Sequence, residues 1–107
     1  MTNLTKWEVE TNPLIVRRMN KTGEEITELG KVIHRIMLQG YMGKDPETGK
    51  PNFESLQEEM ADVYAQLDSN IRSMGLNKSF IEARRREKNR LMADWESMYL
   101  TENNGGD

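Results

Sequence analysis

The chain contains no cysteine, which excludes a disulfide framework, a thiolate metal site and a cysteine nucleophile. Its one histidine, His34, excludes a zinc site built from several imidazoles. No apolar run exceeds three residues, as at 14–16 and 36–38, whereas a bilayer span takes roughly 20. Neither sign of charge dominates: 15 Lys and Arg stand against 18 Asp and Glu, a formal charge of -3, so the surface as a whole is not adapted to a polyanion. Strict apolar/polar alternation, the mark of a half-buried strand, is missing as well. Met1 leads into a polar stretch without the apolar core of a signal peptide, so the expected location is the cytoplasm, with no membrane partner.

What is present suits one small all-α domain. With 107 residues, 36% of them hydrophobic, and a mean hydropathy of -0.82, the chain can build only a modest core, which a second copy is expected to complete. Ile26, Leu29, Ile33, Ile36 and Met37 recur at three- and four-residue steps, and Thr22 with Glu25 fits a capping box, predicting a helix over 22–39 ended by Gly40. The run Gly43, Asp45, Pro46, Gly49, Pro51 predicts a loop. Leu56, Met60, Val63, Leu67, Ile71 and Met74 predict a second helix over 53–74, closed by Gly75. A third is expected over 77–99 with Asn77 as N-cap; it is apolar at Phe80 and Ile81 and again from Leu91, but not between 84 and 90. Upstream, Asn12 and Pro13 suit the start of a short helix through Met19, or of an extension of the first long helix interrupted near Gly23. The expected organisation is an N-terminal segment 1–21, a helical domain 22–99 and a flexible tail 100–107. The fold expected is an all-α bundle of three to four helices completed by oligomerisation, as a homodimer or homotetramer.

Two segments carry acids at one spacing: Glu24, Glu25 and Glu28 in the first long helix, and Glu58, Glu59 and Asp62 in the second. At 100° per residue Glu25 lies about 20° from Ile36, with Glu28 about 60° further round. Glu59 lies about 40° from Val63, with Asp62 about 60° beyond. Each helix thus flanks its apolar stripe with an ExxE or ExxD pair, and antiparallel packing of the stripes would bring four carboxylates to one seam. Such a cluster repels itself unless a hard divalent cation intervenes, and a cation of that kind promotes hydrolysis of phosphoanhydrides. The same acids also suit a solvated helix face.

Through these residues the sequence resembles the MazG-type branch of the all-α nucleoside triphosphate pyrophosphohydrolases, in particular the short single-domain forms of bacteriophages. EExxE stands here as Glu24, Glu25 and Glu28, and ExxD as Glu59 and Asp62. The resemblance covers about 22–95 and implies Glu25, Glu28, Glu59 and Asp62 as ligands of Mg²⁺, or of Mn²⁺ in its place. Glu24 and Glu58 would be outer acids that help orient water. It implies hydrolysis of an NTP or dNTP at the α-phosphorus to the monophosphate and pyrophosphate, in the host cytoplasm if the chain is phage-encoded. Arg35, seven positions after Glu28, and Gly40 match the layout of the phage forms, with Arg35 as a phosphate ligand. Arg85, Asn89 and Arg90 correspond to the basic and Asn-Arg elements of the family's last helix. The sequence departs from the family in its loop over 41–52, which leaves thirty residues between Glu28 and Glu59, and it shows no base-recognition motif.

Arg84, Arg85, Arg86, Lys88 and Arg90 fall within seven positions. They read as a phosphate clamp, as a solvated turn of helix, or as a nucleic-acid contact, which the acidic balance and scarce aromatics disfavour. Gln66 and Asn70 share the flank of Glu59 and Asp62 and can reach a ribose or base. His34 reads as a surface or interface residue; Trp7, Trp95 and Tyr99 read as base-stacking, core or interface residues. The competing functions are a non-catalytic helical interaction protein that binds a host protein and a small helical nucleic-acid binder.

Overall fold

The computed structural model describes residues 6–104, with side chains over 6–101. The chain is all-helical: α1 (Pro13–Gln39), α2 (Asn52–Ser73) and α3 (Lys78–Asn104), with no strand among the described residues. None of these helices is long and apolar enough to cross a membrane. The chain divides after Gly75 into two compact units, the α1/α2 hairpin and the segment that forms α3.

Asn12 caps α1, its Oδ1 accepting from the backbone N–H of Leu14 at 3.0 Å and of Ile15 at 3.3 Å, and Pro13 supplies a preset first position. The short upstream helix and the later start at Thr22 are therefore one element: α1 runs through Gly23 and Gly30 without a break, across the boundary expected at 21. A helix that begins at Asn12 already has its first-turn amides satisfied, so Thr22 has none to cap. Instead Thr22 is buried against α2. Gly40, at φ 95°, ends the helix, and its N–H donates to Ile36 O at 2.7 Å.

The connection over 40–51 is folded back on itself. Lys44 and Pro51 form an isolated antiparallel bridge, Asp45 N–H donates to Lys50 O at 2.9 Å, and Asp45 Oδ1 accepts from Glu47 N–H at 2.8 Å. Asn52, fully buried, closes it: its backbone N–H donates to Gly43 O at 2.8 Å and its Nδ2 to Gly40 O at 3.0 Å. Tyr41 stacks on Phe53 with centroids 5.9 Å apart. After α2, Gly75 at φ 62° turns the chain, and Asn77 caps α3 by accepting from Phe80 N–H at 3.0 Å. The helix then continues through Leu100 to Asn104, residues expected in the tail; 105–107 lie outside the described residues.

The end of α1 thus meets the start of α2 at Asn52, while Arg18 near the start of α1 meets Gln66 and Asn70 near the end of α2, so the two helices are antiparallel. The face of α1 that packs is Ile15, Arg18, Thr22, Glu25, Leu29, Val32 and Ile36, in alternating steps of three and four. This is a correction to the expected stripe: Ile26, Ile33 and Met37 are exposed, about 60–100° round the helix from Ile36. The seam is largely polar. Val32 is the one buried apolar residue among those described, beside buried Thr22, Asn52 and Asn70.

Candidate metal and phosphate site

The polar seam has two ends with different chemistry. Toward the start of α1, Asn70 Nδ2 donates to Thr22 Oγ1 at 2.8 Å, while Arg18 Nε donates to Asn70 Oδ1 at 3.0 Å and its terminal nitrogen to Gln66 Oε1 at 3.3 Å. Asn70, buried and bonded at both ends of its amide, is therefore occupied in a network between the helices, which Gln66 joins through its Oε1. Arg18 was not anticipated from the sequence; its signal is the seven-residue repeat Arg18, Glu25, Val32, which places it on the packed face.

One turn further along, the network gives way to carboxylates. Glu25, Glu59 and Asp62 each offer an oxygen, and these oxygens lie within 4.8 Å of one another. Glu25 and Glu59 are half-buried in the seam and Asp62 is exposed. The carboxyl of Glu59 is pushed up from its ordinary value of 4.5, by burial first and then by the negative charges of Asp62, Glu25, Glu28 and Glu58. Two helices thus bring together three of the four ligands expected. Glu28 falls outside this group; it pairs with Lys31 at 3.2 Å, although its charge still reaches Glu59. Ligands of one Mg²⁺ at about 2.1 Å stand at most roughly 4.2 Å apart, so an oxygen-only set this close fits a hard divalent cation after small side-chain rotations.

Glu59 and Glu28 also line a cavity of about 250 Å³. Around it stand Arg35, Lys31 and Lys50, with Asp45 and Thr48 contributed by the folded connection. Arg35 pairs with Asp45 at 3.4 Å, and Lys50 holds both oxygens of Glu58 at 2.9 and 3.0 Å. Glu58 raises the pKa of Lys50, and the backbone N–H of Glu47, ahead of Arg35, lowers that of Asp45. Glu24 lies further out, paired with Lys21 at 3.5 Å; Lys21 also reaches Glu25 at 3.3 Å.

In the sequence Lys50 and Asp45 read only as loop. The pattern Asp-Pro-Glu-Thr-Gly-Lys holds the signal, since an Asp whose side chain accepts from the residue two places on folds a turn tightly enough to return its last residue to the helices. Of the other sequence candidates, Arg85, Lys88, Asn89 and Arg90 belong to α3, in the other compact unit. Arg90 is engaged within its own helix by Glu87 at 2.7 Å and Asp94 at 3.1 Å. His34 and Trp7 are exposed, and Trp95 stacks on Tyr99 with centroids 6.3 Å apart. The chain matches no protein-family model, no curated protein and no solved structure.

Proposed function

We propose that the chain is a nucleoside triphosphate pyrophosphohydrolase that uses Mg²⁺, with Mn²⁺ able to substitute, and converts an NTP or dNTP to the monophosphate and pyrophosphate. The observation that carries this reading is the convergence of Glu25, Glu59 and Asp62, with Glu59 also lining a cavity that holds Arg35 and Lys50. A divalent cation, when bound, supplies charge neutralisation along a phosphate chain and acidifies a water molecule. Glu25, Glu59 and Asp62 hold it; Glu28 and Glu58, close enough to shift Glu59, are the carboxylates left to orient water. Arg35 and Lys50 take phosphate oxygens by exchanging one anionic partner for another, which leaves each cation paired throughout.

At about 250 Å³ the cavity is smaller than the roughly 300–1,000 Å³ of sites that enclose a drug-sized ligand, so it suits the phosphate chain and not the whole nucleotide. This agrees with the lack of a base-reading motif. The choice of the α-phosphorus rests on the resemblance described above. The working form is proposed to be a homodimer or homotetramer, because Ile26, Ile33 and Met37 of the hairpin remain exposed; the proposed location is the cytoplasm.

The test is purified protein with Mg²⁺ and a panel of NTPs and dNTPs, reading pyrophosphate, beside Glu59→Gln. Metal-dependent release that the substitution lowers by roughly a hundredfold or more is expected, since a metal contributes several kcal/mol to such a transition state. Absence of metal-dependent release from every nucleotide, or equal release by the variant, would overturn the reading in favour of a non-catalytic interaction protein.

A further inference from the structure

Every cation that lines the cavity already holds a carboxylate that lines it too. Lys31 pairs with Glu28 at 3.2 Å, Arg35 with Asp45 at 3.4 Å and Lys50 with Glu58 at 2.9 Å. Glu59 is left as the lining carboxylate in no ion pair among the described residues. With its own charges matched, the cavity has no net attraction for a bare anion, and Glu59 repels one. A ligand that carries both signs is received differently. Its anionic oxygens take Lys31, Arg35 and Lys50, and its metal ion takes carboxylates that those cations release. None of the pairs is fully buried, so each opens readily.

Nothing in the cavity reads a nucleoside. Beyond the charged side chains its lining is Val32, Thr48 and Ser55, with no aromatic ring to stack on a base and no side-chain amide to pair with a base edge. The rings of the hairpin stand elsewhere: Tyr41 and Phe53 stack on each other, and Tyr64 lines an apolar groove with Leu29 and Met60. That groove lies on the opposite flank of the seam. From Glu25 on the wheel of α1, Leu29 lies about 40° to one side, and Glu28, Arg35 and Lys31 lie about 60–120° to the other. From Glu59 on α2, Met60 and Tyr64 lie about 100–140° to one side and Glu58 about 100° to the other.

We propose that the cavity binds a linear polyphosphate complexed with Mg²⁺ whether or not a nucleoside is attached, so that inorganic tripolyphosphate is a ligand on a par with an NTP. This rests on the Mg²⁺-dependent reading of the site given above and extends it. Lys31 joins Arg35 and Lys50 as a phosphate ligand, and the nucleoside of a substrate stays outside the cavity and adds little to affinity.

Calorimetric titration of the full chain tests this without turnover, using tripolyphosphate and the α,β-methylene analogues of ATP and CTP, whose bridging carbon resists cleavage. With Mg²⁺ in excess, all three should bind with affinities within about tenfold of one another, and none should bind in EDTA. Lys31→Met and Arg35→Met should each weaken all three by a common factor of about tenfold, with circular dichroism on each variant separating a lost contact from a lost helix. Tripolyphosphate that fails to bind, or binds more than about a hundredfold weaker than the analogues, would overturn the proposal. So would analogues that differ from each other by that much, binding undiminished in EDTA, or variants that weaken the analogues and spare tripolyphosphate. The pyrophosphate-release assay separates this from the catalytic reading. Tripolyphosphate bound by a protein that hydrolyses no nucleotide leaves the polyphosphate site standing and the enzyme overturned; nucleotide hydrolysis without tripolyphosphate binding does the reverse.

Discussion

The carboxyl of Glu59 is the residue where fold and site make opposite demands. Its pKa in the folded chain is raised, so the stability it contributes is present below its unfolded value and lost as the pH climbs through the folded one. At neutral pH, without metal, Glu59 opposes folding. Glu59→Gln should therefore raise the melting temperature of the metal-free protein at pH 7, and the gain should shrink as the pH falls into the ordinary carboxylate range. Mg²⁺ should stabilise the wild type and leave the variant nearly unmoved, a pattern that calorimetry at two pH values reads directly. Asn70 differs, because its demands all belong to the fold. It is buried and bonds both Thr22 and Arg18, so Asn70→Ala should destabilise by about 1–3 kcal/mol in denaturant titration. Any pyrophosphohydrolase activity should persist at temperatures where the variant remains folded.

Among the elements, the two long helices of the hairpin were legible because their punctuation is strong, with Gly40, Pro51 and Gly75 at or beside their ends, whereas α1 starts at Asn12-Pro13 and not at the expected Thr22. The face that α1 buries was not legible. Its apolar residues outnumber what the seam takes, and periodicity alone gives Ile26 and Ile33 the same claim as Leu29 and Val32. The seam is chosen by polar partners on α2, Asn70 for Thr22 and Gln66 for Arg18, which a single helix pattern does not display. Three of the four carboxylates still converge because Glu25 and Glu59 sit on the packed faces themselves, with Asp62 just outside, whereas Glu28 falls outside the group. The connection over 40–51 was the least legible element, since its form depends on backbone hydrogen bonds. Gly43 shows how tightly it is drawn: a Cβ there would stand 2.5 Å from the backbone oxygen of Gln39. Gly43→Ala should cost about 1–3 kcal/mol by urea unfolding, because backbone must yield. It should also weaken phosphate binding by displacing Lys50 and the Asp45 that positions Arg35, measured as a raised KM with a smaller change in kcat.

For the molecule as a whole, the α1/α2 hairpin buries too little apolar surface to account for its own persistence. Val32 alone is buried among the described apolar residues, while Leu29, Met60, Val63, Tyr64 and Leu67 line a shallow apolar groove of about 200 Å³ on the hairpin. On the wheel of α1, Ile26 and Ile33 lie on one side of Glu25 and Glu28 lies on the other, so covering the apolar side leaves the carboxylates and their cavity open. This separation makes Ile33 a clean probe. In a hairpin that works alone, Ile33→Glu changes an exposed side chain and should alter stability by no more than about 0.5 kcal/mol. In a bundle completed by a second copy, it inserts a carboxylate into an apolar seam. The expected result is the latter: the particle mass falls in light scattering, and the melting temperature drops and loses its dependence on protein concentration. An unchanged mass and melting temperature would mean that the hairpin face stays open to water.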